Sequence, residues 1–215
     1  MTTRILIADD HKIISESLVP ILNTQQGIKV IGVVTNGREA VEKTLQQKPD
    51  IVIMDISMPV LNGIEATREI IAKQPDARII ILSMHDDRRY IIGALEAGAS
   101  GYLTKGCSLK ELLAAIAAVK EHKKYFSPDI HSILNSGVYG SETSPASSSS
   151  LTVREREVLQ QLAEGQSIKE IAFLLNLSIK TVHTHRASIM NKLKIKNTAS
   201  LIKYAIQEGI TSVNS

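Results

Sequence analysis

Along the first 125 residues, short apolar runs alternate with stretches in which apolar residues return every three or four positions. The runs at 5–8, 30–34, 51–54, 79–82 and 102–104 are rich in Ile, Val and Leu and predict strands. The periodic stretches predict helices at 12–24, 37–47, 62–74, 87–97 and 109–121. No two-residue hairpin turn joins any pair of runs. Five β-then-α units connected in this way imply a parallel sheet, because parallel strands need crossover helices and those helices cover both faces.

The pattern changes at residues 136–150, SGVYGSETSPASSSS, which hold almost no apolar surface and end in four serines. Such a segment cannot bury enough to order itself and reads as a linker. Beyond it everything is helical in period. Thr152 with Glu155 and Ser167 with Glu170 are capping-box pairs like Ser108 with Glu111 before the linker, Ser178 is a third N-cap, and Gly165 and Asn176 are stop signals. Helices are expected at 153–164, 168–175, 179–193 and 198–207, the second and third separated by a very short turn, as in a helix-turn-helix. The expected organisation is a domain at 1–127, a linker at 128–147 and a small all-α domain at 148–213.

Composition changes this picture little. The 215 residues are 43% hydrophobic and 22% charged, enough for two small cores. The single cysteine, Cys107, excludes an internal disulfide framework and a cysteine-based zinc site. Two carboxylates interrupt the N-terminal apolar run and no apolar run approaches about 18 residues, so a soluble cytoplasmic protein without a membrane association is expected. Charge is more telling. Residues 1–127 carry 16 Lys/Arg against 15 Asp/Glu, whereas residues 151–215 carry 9 against 5. A basic C-terminal part points to a polyanionic partner.

The chemistry gathers at strand ends. Asp9 and Asp10 follow the first strand, Asp55 the third, Ser83 the fourth and Lys105 the fifth. In an open parallel sheet these ends face one crevice, so three carboxylates, a hydroxyl and an amine converge there. Magnesium takes oxygen ligands in near-octahedral geometry; Asp10, Asp55 and the backbone carbonyl of Ser57 would supply them, with Asp9 holding water. Without a cation the crowded acids would be driven toward protonation. Asp55 is then the best nucleophile toward a phosphoryl group, with Lys105 and Ser83 set to meet its oxygens. His11 reads as a surface residue at a helix start.

These residues carry a resemblance. Asp9-Asp10, Asp55 with Met58-Pro59 and Asn62-Gly63, Ser83, Ala97-Gly98-Ala99 and Tyr102-Leu103-Thr104-Lys105 make residues 1–125 similar to the receiver domain of bacterial two-component response regulators. Leu151 to Leu159, Gly165, Glu170-Ile171-Ala172 and Thr181 to His185 make residues 148–213 similar to the LuxR-type helix-turn-helix of the NarL/FixJ subgroup. The resemblance implies a (βα)5 doubly wound receiver followed by a helix-turn-helix domain, and a transcription regulator rather than an enzyme. It implies that a sensor histidine kinase phosphorylates Asp55, that Ser83 and Tyr102 then move inward, and that the phosphorylated chain forms a homodimer on double-stranded DNA. The alternative is a receiver-type transcription factor that works without phosphorylation. Two positions depart from the pattern: Gly106 follows Lys105 where many receivers have proline, and His183 stands where lysine is common.

Helical geometry orients the last motif. At about 100° per residue, Val182, Ile189 and Leu193 share one side and are expected to be core. Lys180, Thr184, Ala187 and Asn191 fall opposite, flanked by His183, and would enter the major groove. Thr181 and Lys192 lie at the edges, suited to phosphate.

Overall fold

Short apolar runs, too short for helices and rich in β-branched side chains, become strands, the central ones buried on both faces and the edge one, Ile28–Val34, largely half-exposed. In the computed structural model, which describes residues 2–130 and 151–211, these are β1 (Thr3–Ala8), β2 (Ile28–Val34), β3 (Ile51–Met54), β4 (Ile79–Ser83) and β5 (Gly101–Thr104). Every residue of β3 and β4 is buried. The helices between and after them are α1 (Lys12–Asn23), α2 (Gly37–Gln47), α3 (Gly63–Lys73), α4 (Arg88–Glu96) and α5 (Leu109–Lys120). A two-residue strand that the periodicity does not reveal, β6 (Tyr125–Phe126), pairs with β5.

All pairings are parallel, in the order β2-β1-β3-β4-β5-β6. The chain moves outward in one direction after β1 and in the other after β3, so the switch lies between the ends of β1 and β3. Alternating side chains divide the interior into two cores. Leu6, Val52, Met54, Ile79 and Ile81 pack with residues of α2, α3 and α4, whereas Ile5, Ile51, Ile53, Ile80 and Leu103 pack with residues of α1 and α5.

Local chemistry starts several of the helices. Asn36, Asn62 and Ser108 accept the backbone N–H three residues on, and Ser108 with Glu111 completes a capping box. Gly63 matters most for the site. A Cβ at Gly63 would stand 1.9 Å from the Asp55 carbonyl oxygen, so only glycine lets α3 close against the end of β3. Just before it, the Leu61 N–H donates to the Pro59 carbonyl at 2.8 Å around Val60, whose φ is 68°. That is a γ-turn of the rare positive-φ kind, carried by a β-branched residue.

The chain divides into two compact units, Met1–Gly137 and Val138–Ser215. Of the expected linker at 128–147, only 128–130 lies within the described residues; it is helical and buries Ile130 in the core beside α2, α3 and α4. The second unit holds α6 (Val153–Ala163), α7 (Ile168–Leu174), α8 (Ile179–Leu193) and α9 (Thr198–Gln207). Thr152–Glu155 and Ser167–Glu170 form capping boxes, and Ser178 accepts from the Thr181 N–H. Gly165 and Asn176, the two expected stops, adopt positive φ of 84° and 52°.

Candidate functional site

The ends of β1, β3 and β5 bring Asp9, Asp55 and Lys105 into contact. Lys105, whose side chain is 3% exposed, donates to Asp55 Oδ2 at 2.8 Å, and its Nζ lies 2.9 Å from Asp9 Oδ2. The Asp55 Oδ1 accepts from the Ile56 N–H at 2.7 Å. Burial pushes the Asp55 carboxyl above the ordinary carboxylate range; Lys105 opposes that push and the neighbouring Asp9 charge adds to it.

Asp9, Asp10, His11 and Asp55 each offer a ligand atom within 4.8 Å of the others. Asp10 Oδ1 is buried without a hydrogen-bond partner; the His11 Nδ1 is 3.0 Å away but out of line for one. Oxygen donors crowded around a buried, unsatisfied oxygen fit a divalent cation. His11 is exposed at the start of α1, as the sequence suggests, and its ring turns Nδ1 toward the acids and toward Lys105 Nζ at 3.3 Å.

Across the pocket, Ser83 ends β4 and is fully buried, and its hydroxyl accepts from the His85 N–H at 3.3 Å. His85 is the residue that the sequence pattern does not single out. Its Nε2 shares a hydrogen bond with Ser57 Oγ at 2.8 Å, its ring stacks on Tyr90 with centroids 4.0 Å apart, and its carbonyl accepts from the Tyr102 hydroxyl at 2.8 Å. Burial pushes the His85 imidazole down and the Tyr102 hydroxyl up. The resemblance implies that Tyr102 swings inward on phosphorylation, yet here its ring is already wholly buried. The only signal for His85 is position, two residues past Ser83 on a strand-end loop. The peptide after Lys105 is trans, as are all others among the described residues.

In the second unit, Val182 and Ile189 are buried and Leu193 half-buried, while Lys180, His183, Thr184, Ala187 and Asn191 are exposed. The expected division of α8 into a core side and an open side is therefore present. Thr184 Oγ1 donates to its own helix at the Lys180 carbonyl, 3.0 Å away, and the half-buried Thr181 shares a 2.8 Å hydrogen bond with the N-cap Ser178. Arg186 donates to Thr198 Oγ1. Lys192 is engaged by Glu155: its Nζ donates to Oε2 at 2.7 Å, Ser188 donates to Oε1 at 2.7 Å, and the Thr152 N–H donates to Oε2 at 2.7 Å. Burial alone would raise the Glu155 carboxyl, but these donors outweigh it and hold it down to about 2.

Two family descriptions match the chain: "Response regulator receiver domain" over residues 5–117 and "Bacterial regulatory proteins, luxR family" over residues 149–205. The oxygen regulatory protein NreC of Staphylococcus epidermidis is 37% identical over 96% of this chain and 98% of its own length. The transcriptional regulatory protein MctR of Rhizobium johnstonii is 38% identical over 97% and 95%. Among solved structures, the response regulator ChrA of a haem-sensing two-component system is 32% identical, with a TM-score of 0.54 over 97% of this chain and 98% of that one. RcsB of Salmonella enterica serovar Typhimurium, bound to promoter P1flhDC in the presence of phosphomimetic BeF3-, is 27% identical, with a TM-score of 0.61 over 98% and 100%. With a crevice of acids at the β1/β3 switch, a helix-turn-helix beyond it and relatives matched along almost their whole length, this chain belongs to the two-component response regulators that join a receiver domain to a LuxR-family DNA-binding domain.

Proposed function

We propose that Asp55 accepts a phosphoryl group from a sensor histidine kinase and that the modified chain acts in the cytoplasm as a DNA-bound homodimer. One observation carries the reading: a buried carboxylate, its ionisation opposed by burial, lies 2.8 Å from a buried lysine and beside two further acids. Asp55 Oδ2 attacks phosphorus and the leaving imidazole keeps the bond electrons, giving an acyl phosphate on Asp55. Lys105 already points at the oxygen that attacks, and its ammonium neutralises charge on the phosphoryl oxygens. Ser83 donates to the same oxygens once it releases the His85 N–H. When bound by Asp9, Asp10, Asp55 and the Ser57 carbonyl, Mg2+ supplies further neutralisation of that charge.

Tyr102 reports the event. Its hydroxyl rests on the His85 carbonyl, and the same His85 N–H rests on Ser83, so a Ser83 shift toward Asp55 reaches Tyr102 through one residue. In the second unit, Lys180, His183, Thr184, Ala187 and Asn191 read base edges, and Thr181 with Lys192 meets phosphate. Lys192 does so by sharing or exchanging its Glu155 partner. The RcsB complex with promoter DNA supports this use of the helical unit.

The test is mass spectrometry after incubation with a small phosphodonor and Mg2+, followed by DNA binding and size measurement. A gain of one phosphoryl group, a larger species and tighter binding to paired half-sites about one helical turn apart are expected. Equal DNA affinity and equal size with and without the modification would favour a phosphorylation-independent regulator.

A further inference from the structure

Helix α7 is short, and the second unit buries only one side of it. Ile171, Ala172 and Leu175 are buried, whereas Lys169, Glu170, Phe173 and Leu174 face outward. Phe173, one of two phenylalanines in the chain, is 87% exposed, and Leu174 is 42% exposed. With Gln166, the four outward residues line an open groove of about 410 Å3. A single exposed aliphatic residue is ordinary, but a large aromatic ring left in water beside a leucine and a groove marks a contact surface. The patch runs on toward the DNA-facing side: Leu174 ends α7, and the half-exposed Ile179 opens α8 one residue before Lys180.

We propose that this patch is an activating surface, and that its occupant is RNA polymerase bound to the adjoining promoter DNA. The inference rests on the reading of α8 as the helix that enters the major groove. Size argues for a partner that DNA holds in place. The residues that line the groove are far fewer than the roughly 20 to 30 on each side of a stable interface, so the patch does not recruit a protein by itself. Shared DNA raises the effective concentration of the partner to a level at which a weak contact suffices. The protein that a transcription regulator meets on such DNA is the polymerase. Charge describes the surface that docks. Glu170 is engaged by its own helix, where its Oε2 accepts from the Ser167 N–H at 2.8 Å, while the exposed Lys169 makes no ion pair among the described residues. The matching polymerase surface is therefore an apolar side chain rimmed by carboxylates, which fills the groove beside Phe173 and pairs with Lys169.

The full chain, with and without phosphodonor treatment, first selects DNA from a random pool. The selected site is then set upstream of a weak core promoter at a series of distances spanning one helical turn. Transcript made by purified bacterial RNA polymerase is measured with the parent chain, Phe173→Ala and Lys169→Gln at saturating protein, beside DNA affinity by gel shift and helicity by circular dichroism. The parent should raise transcript at a preferred phasing. Phe173→Ala should lower that stimulation by about tenfold and Lys169→Gln by about threefold, with helicity unchanged and DNA affinity within about twofold of the parent. Full stimulation by Phe173→Ala overturns the proposal, as does a loss of DNA affinity that matches the loss of transcript, or no stimulation by the parent at any phasing. A patch used by a second copy would show as cooperative filling of paired sites that Phe173→Ala abolishes, with transcript unchanged once the sites are full, and that result also overturns it. Failure of the parent to select any DNA overturns the reading of α8 and this inference together.

Discussion

Asp55 and Glu155 are both buried acids with a lysine within 2.8 Å, yet their chemistry diverges. Glu155 receives Lys192, Ser188 and the Thr152 N–H and is held strongly acidic. Asp55 receives Lys105 and one backbone N–H, faces Asp9, and is pushed the other way. A carboxylate supplied with three donors fastens helices α6 and α8 together. One left short of partners beside a like charge keeps its capacity to react. Burial and a lysine contact do not distinguish a structural acid from a reactive one; the number of remaining donors does.

The comparison breaks if the under-supplied acid is inert. Asp55→Asn should therefore lose all mass gain from a phosphodonor while its circular dichroism stays that of the parent, and a stoichiometric adduct in that variant would locate the acceptor elsewhere. Glu155→Gln should do the opposite, leaving labelling in place and lowering stability by roughly 2 to 3 kcal/mol, read from urea denaturation.

Acidity sharpens the same contrast. A carboxyl held below its ordinary value contributes stability that is complete above about pH 4.5 and disappears as the pH falls toward about 2. The gap between the parent and Glu155→Gln should narrow across that window in denaturation curves; a gap independent of pH would mean that packing, not charge, carries it.

The exposed side of α8 offers a third acid-free counterpart to both pockets. Thr184→Ala should change preference among base pairs by about 1 to 3 kcal/mol in competition binding with altered half-sites. An unaltered preference would mean that another side of the helix meets the groove. Lys192→Ala is expected to lower affinity for all sequences alike, and also to release Glu155, so its effects on binding and stability should appear together.

Legibility follows sequence distance. Asp9, Asp10, Asp55, Ser83 and Lys105 were readable because each terminates an apolar run, and parallel topology sends such ends to one side. The capping boxes and the Gly165 and Asn176 stops were readable because their partners lie within a few residues. Glu155 and Lys192 stand 37 residues apart on different helices, so no local pattern announces their pairing. His85 sits in the aperiodic stretch Met84 to Asp87, and its role depends on a loop folding back over Ser57. His11 is exposed at the start of α1, as its position suggests, but position does not say which way the ring turns, and β6 is too short to show a period.

The Val60 γ-turn gives the smallest expected effect and a different kind of consequence. A β-branched residue at φ 68° stores conformational energy, on the order of 1 kcal/mol, that Val60→Gly would remove. That substitution should raise the unfolding midpoint of the first unit slightly, and a fall would show that the side chain returns more than it stores. The turn lies between Pro59, which limits the backbone on one side, and the buried Leu61 and Gly63, which pin it on the other. The loop behind Asp55 is thus tensioned at both ends like a drawn string, and it meets a newly formed acyl phosphate with stiffness instead of slack.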